Sequence, residues 1–96
     1  MAAAHADRLQ LPEELGYRQA RECLARLQPW VAGFGGAEVP IDASAVKSFD
    51  SAALAVLLAL RRTALAEGKQ LVVIGLPPGL VSMARLYGVI GLLPQG

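Results

Sequence analysis

Residues 41–60, Ile41-Asp-Ala-Ser-Ala-Val-Lys-Ser-Phe-Asp-Ser-Ala-Ala-Leu-Ala-Val-Leu-Leu-Ala-Leu60, decide the fold. The stretch is entered through a strand over 37–43, in which Val39, Ile41 and Ala43 alternate with Glu38 and Asp42. A short polar turn, 44–49, follows. Asp50 and Ser51, both residue types that cap helix N-termini, then stand directly before a helical run that ends near Gly68. An acid and a hydroxyl delivered to a helix start meet free backbone N–H groups and the positive end of the helix dipole.

The helix carries a second signal. At helical spacing Leu54, Leu57, Leu58, Ala64 and Leu65 share one face, wide enough to cover a sheet. The opposite face reads Ala52, Ala55, Val56, Ala59, Arg62, Thr63 and Ala66, where a face meeting only water would carry more charge. A smooth, nearly uncharged outer stripe points to contact with another protein, although alanines also simply favour helix.

Outward from this centre, the chain reads as a single small domain over 8–96 with a loose tail at 1–7. Its 96 residues leave little to spare beyond one core. Hydrophobic residues make up 54% and charged residues 18%, greasy for a domain that meets only water. A net charge of +1 and the lack of a basic cluster with interleaved aromatics argue against nucleic acid. The apolar run 52–60 stops at Arg61 and Arg62, far short of a membrane span. The first residues lack the charged start and apolar core of a signal peptide. Cys23 has no internal partner for a disulfide, which makes a reducing cytoplasm the simplest compartment.

The remaining elements follow in order. Residues 8–11 form a short strand, ended by Pro12-Glu13-Glu14. Tyr17, Ala20, Cys23, Leu24 and Leu27 recur at helical spacing on a helix stopped by Pro29, with Arg18, Gln19, Arg21, Glu22 and Arg26 facing water. Gly33, Gly35 and Gly36 lead into the central strand. Gly68 ends the central helix, Leu71-Val-Val-Ile74 is a buried strand, and Pro77-Pro78-Gly79 turns the chain into a last short helix, 80–87. Strands alternating with helices predict an α/β fold with parallel pairing.

Catalytic signals are poor, and the chain is expected to be no enzyme and to bind no metal or cofactor. His5 lies in the tail without a carboxylate or cysteine at ligand spacing. Cys23 is core filler on the buried side of the first helix. Gly33-Phe-Gly-Gly36 leads into a strand and lacks the Gly-Lys-Ser/Thr ending of a phosphate loop. Asp50 and Ser51 have no histidine or lysine partner close in sequence.

The stretch Ile41-Asp-Ala-Ser-Ala-Val-Lys-Ser-Phe-Asp-Ser-Ala-Ala-Leu54 resembles the signature of STAS domains, the fold shared by sulphate transporters and anti-anti-sigma factors. Pro77-Pro-Gly-Leu80, Ala84-Arg-Leu-Tyr-Gly-Val89 and Leu92-Leu-Pro94 are similar to the MlaB-type branch, the small cytoplasmic subunit of a bacterial ABC transporter that moves phospholipid between inner and outer membranes. The resemblance covers roughly 8–94. It implies a small STAS-like sheet of parallel strands against three to four helices, the first strand short or missing. Asp50 and Ser51 match the family's acid–hydroxyl pair, and in anti-anti-sigma members the hydroxyl at the position of Ser51 is phosphorylated by a partner kinase. Ala53 stands where a glycine is usual, and Pro40 interrupts a strand that should be central.

The resemblance implies a protein-interaction module at the cytoplasmic face of the inner membrane, held there by its partner. Lys47, Ser48, Phe49, Asp50 and Ser51 of the loop, with Ala52, Ala55, Val56, Ala59 and Arg62 of the helix, are expected to bind the transporter's ATPase subunit. The alternative is an anti-anti-sigma factor whose docking on its anti-sigma kinase is switched by phosphorylation of Ser51. A phosphate there would add nearly two negative charges beside Asp50.

Overall fold

The computed structural model describes residues 9–96; the tail expected at 1–7, His5 and Arg8 lie outside the described residues. The elements are β1 (Leu9–Gln10), β2 (Glu14–Leu15), α1 (Tyr17–Ala32), β3 (Glu38–Asp42), β4 (Ser48–Phe49), α2 (Ser51–Ala66), β5 (Gln70–Ile74), α3 (Pro78–Leu86) and a 3-10 turn (Ile90–Leu92). Strands β1, β3 and β5 form one parallel sheet in that order, and β2 pairs with β4 in a second, also parallel. Parallel neighbours require crossovers, and α1 and α2 provide them. The C-terminus then returns to the outer edge of β5: Val73 donates to the Pro94 carbonyl at 2.8 Å and Gly96 donates to the Val73 carbonyl at 3.0 Å. The expected α/β fold with a short first strand is what the chain adopts.

Pairing aligns Val39 with Leu71 and Ile41 with both Leu9 and Val73. Side chains alternate faces along a strand, so these residues share one face, and all are buried. Pro40 costs the β3–β5 ladder nothing. Ala43 donates toward β5, to Ile74, whereas Asp42 accepts on the β1 side, from Leu11. Alternation places Pro40 with Asp42 on the β1 side, so its missing N–H removes nothing from the β3–β5 ladder.

Asp42 alternates with the apolar residues of β3 and yet is buried; its Oδ1 accepts from the backbone N–H and the hydroxyl of Ser44, at 2.9 and 2.6 Å. The side chain thus ends the strand with a tight turn of its own. That turn leaves no room opposite. Gly75 stands at φ +69, and a Cβ there would lie 2.8 Å from the Ser44 Cβ. The polar turn expected at 44–49 also contains β4, and α1 does not stop at Pro29 but runs on to Ala32. Proline in the last turn loses one bond while Val31, fully buried, still anchors the helix.

Helix α2 is capped as expected near Gly68, which adopts φ +72. Gly68 donates to the Leu65 carbonyl and Lys69 to the Ala64 carbonyl, the paired bonds of a left-handed glycine stop. The rotation of α2 differs from the expected one. Leu54, Leu57 and Ala64 are buried, but Leu58 is half-buried and Leu65 is 49% exposed. Val56 and Ala59, expected on the outer stripe, are buried instead. The reason is that α2 packs on α1 as well as on the sheet. Gln28 of α1 donates to the Thr63 hydroxyl at 3.2 Å, and Val56 and Ala59 lie on the same flank of α2 as Thr63.

Three substitutions test this packing in urea melts. Leu57→Ala, at a fully buried position, should lower stability by about 2–5 kcal/mol. Ala59→Glu should destabilise by about 2 kcal/mol or more, because it forces a carboxylate between α1 and α2, whereas the exposed Ala55→Glu should stay within about 0.5 kcal/mol. Equal tolerance at 55 and 59 would mean that α2 is rotated away from this position.

Candidate functional site

Strands β2 and β4 are short, but each runs directly into a long helix. Leu15 pairs with Phe49, and the next residues, Gly16 and Asp50, are the N-cap positions of α1 and α2. Only one of the two carries a side chain, and it serves both helices. The Asp50 Oδ1 accepts from the Ala52 N–H at 2.8 Å, while Oδ2 accepts from the Tyr17 N–H of α1 at 3.0 Å. Gly16 makes the shared cap possible, because a Cβ there would stand 3.0 Å from Oδ2. Gln19, expected to face water, reaches back so that its Oε1 accepts from the Gly16 N–H at 2.9 Å.

The loop ahead of Asp50 is tied to the same place. Lys47 and Ser48 donate backbone N–H groups to the Glu13 carbonyl at 2.8 and 3.1 Å. The Lys47–Glu13 ion pair, at 3.8 Å between exposed groups, adds little in water. The half-buried Phe49 ring meets the start of α3, where a Cβ on Gly79 would lie 2.8 Å from its Cζ. Much of Phe49 is therefore engaged within the domain.

Of the expected partner-binding residues, Lys47, Ser48, Ser51, Ala55 and Arg62 are exposed. Phe49, Asp50 and Ala52 are half-buried, and Val56 and Ala59 belong to the α1 seam. The outer face of α2 is instead Ser51, Ala55, Leu58, Arg62 and Leu65, at spacings of four, three, four and three residues. Leu58 and Leu65, read as core from their spacing, are part of that surface. The pattern alone could not reveal this, because the extra buried flank comes from α1.

Ser51 is the first helical residue and not the cap, a correction to its expected role. Its side chain is exposed at the positive end of α2. A hydroxyl placed so can accept a phosphoryl group from another enzyme, but Asp50 already spends both oxygens on backbone N–H groups. Burial pushes the Cys23 thiol above its ordinary range, with Arg26 opposing. Among the described residues no three His, Cys, Asp or Glu side chains gather as a metal site.

The chain matches the family model described as "Mlab, STAS domain" over residues 2–94. No curated protein matches it.

The shared cap makes a quantitative expectation in denaturant melts. Asp50→Ala leaves the N–H groups of Tyr17 and Ala52 without their acceptor and should cost about 1–3 kcal/mol. Ser51→Ala should cost no more than about 0.5 kcal/mol, because the hydroxyl caps nothing. A Ser51→Ala loss as large as that of Asp50→Ala would overturn the assignment of the cap.

Proposed function

Because the chain belongs to the STAS family in its MlaB-type branch, we propose that it is a non-enzymatic interaction subunit that docks on the ATPase subunit of a bacterial phospholipid ABC transporter. The observation that carries this reading is the outer face of α2: Ser51, Ala55, Leu58 and Arg62 follow directly on the exposed Lys47 and Ser48 and include no acid. Water-facing helix surfaces ordinarily carry a mixed-charge pattern, whereas small and apolar residues let another backbone approach closely. Docking through this face holds the ATPase in its assembled, active form. Among the described residues no helix is long and apolar enough to cross a membrane, so association with the inner membrane would run through the partner.

The exposed Ser51 hydroxyl favours a second reading. In an anti-anti-sigma factor, a kinase partner would phosphorylate Ser51 and release itself, since a phosphate at an apolar interface brings nearly two negative charges that must be desolvated. The phosphate content of the protein purified from its own cells separates the readings: stoichiometric or stimulus-dependent phosphate on Ser51 sinks constitutive docking.

Calorimetry with the transporter ATPase of the same organism tests the favoured reading. The wild type should bind, and Ala55→Glu should weaken binding about tenfold or more while leaving the fold intact. Ser51→Asp should also bind more weakly, because it adds a second carboxylate beside Asp50 that the complex must bury. Absence of any complex with that ATPase would overturn the reading.

A further inference from the structure

The outer face of α2 does not end at Arg62. It continues into a groove of about 180 Å3 between the second half of α2 and the returning C-terminal segment, lined by Arg61, Leu65, Leu92 and Pro94 among others. Leu65 and Leu92 flank it while 49% and 41% exposed, two aliphatic side chains left in water on opposite walls. Arg61 is half-buried against the groove, and Arg62 is exposed one position on. Leu65 follows both by one helical turn, at i+4 and i+3, so two guanidinium groups straddle it.

Neither arginine has a hydrogen-bond or ion-pair partner among the described residues. Glu67, the next acid along the chain, falls by helical spacing on the α1 flank of α2 and not beside them. Lys69 is turned the other way, donating to the Ala32 carbonyl at 2.8 Å. Two cations without a neutralising partner among the described residues therefore stand at this groove, Arg61 in its lining and Arg62 exposed beside it.

We propose that this groove receives an acidic, aliphatic segment of the docking partner, with carboxylates paired to Arg61 and Arg62 and one aliphatic side chain seated between Leu65 and Leu92. The inference rests on the docking reading above and names the chemistry of the surface that docks. Guanidinium groups pair with carboxylates through two parallel hydrogen bonds, which fixes orientation as well as charge. Two neighbouring positive charges repel until such a partner arrives, so the pairing has more to gain here than at a balanced surface. A phosphate backbone would demand a longer basic track than two arginines on a chain of net charge +1. Leu65 belongs both to this groove and to the Ala55, Leu58 and Arg62 face, so one partner segment lying along α2 reaches both.

The test titrates the same organism's ATPase subunit into wild type, Arg61→Glu, Arg62→Glu, the two lysine variants and Leu92→Ser, at low and at high sodium chloride. Circular-dichroism melts confirm that each variant is folded. Each charge reversal is expected to raise Kd about tenfold and to flatten its dependence on salt. The lysine variants should keep most of the salt dependence with partial loss of affinity, and Leu92→Ser should weaken binding with that dependence intact. Unchanged Kd and salt dependence in both Glu variants, with Ala55→Glu still impaired, would overturn this inference and leave the docking reading standing. No binding by the wild type would overturn both. A wild-type dimer in sedimentation that the Glu variants dissociate, with ATPase binding untouched, would assign the groove to a second copy of this chain and overturn the proposal.

Discussion

One carboxylate fixes where both long helices begin. Helix α1 has no acid in its first turn, no base in its last, and a glycine where its cap should be. Left to itself it would expose unsatisfied N–H groups at one end and carbonyls at the other. Both ends are satisfied from elsewhere in the chain. Asp50 accepts from the Tyr17 N–H, and Lys69 donates its Nζ to the Ala32 and Val31 carbonyls at 2.8 and 3.4 Å. These bonds set a negative group at the positive end of α1 and a positive group at the negative end, the arrangement its dipole favours. Because Asp50 begins α2 and Lys69 follows its end, α2 and its flanks clamp α1 along its length. The buried Val56 and Ala59, with the half-buried Thr63, fill the space between.

This dependence explains what was legible in the sequence and what was not. Alternating Val39 and Ile41, the Leu54 and Leu57 stripe and the glycine at 68 each report on local geometry, and they placed β3, α2 and its end within a residue or two. The family resemblance held as well, from a motif that local geometry makes specific. What failed was everything that a second element decides. Helical spacing could show that α2 has a leucine face, but not that α1 would bury Val56 and Ala59 as well. Alternation sets Asp42 apart from Val39 and Ile41 but does not show that it is buried, because the turn of Ser44 that occupies it leaves no mark in the pattern. Asp50 and Ser51 are both cap-type residues, and the local sequence does not separate their roles. Only the pairing of Leu15 with Phe49 brings Tyr17 within reach, so the tertiary half of the Asp50 bond leaves no mark in the local sequence. Gly16 ahead of an uncapped helix is one hint in the sequence, and Gln19 three residues on is a second.

The same constraint divides the acid–hydroxyl pair into two jobs. Asp50, half-buried and committed to two N–H groups, belongs to the architecture. Ser51, one residue further, belongs to the surface. A surface built this way is stiff, because the backbone under Ser51 is fixed by a side chain that also holds α1. Stiffness matters for a docking face, since a partner then binds a preformed shape and loses little to ordering it.

It also follows that Ser51 is a place where surface chemistry reaches the core of the fold. A negative group added there would gain from the dipole of α2. It would also stand beside the Asp50 carboxylate and repel it. The group would therefore act in two ways: by repelling an apolar partner directly, and by weakening the acceptor that Tyr17 relies on. The two proposed readings, constitutive docking and phosphorylation-switched docking, would thus use one geometry. They differ only in whether any kinase reaches a hydroxyl that the fold leaves in the open.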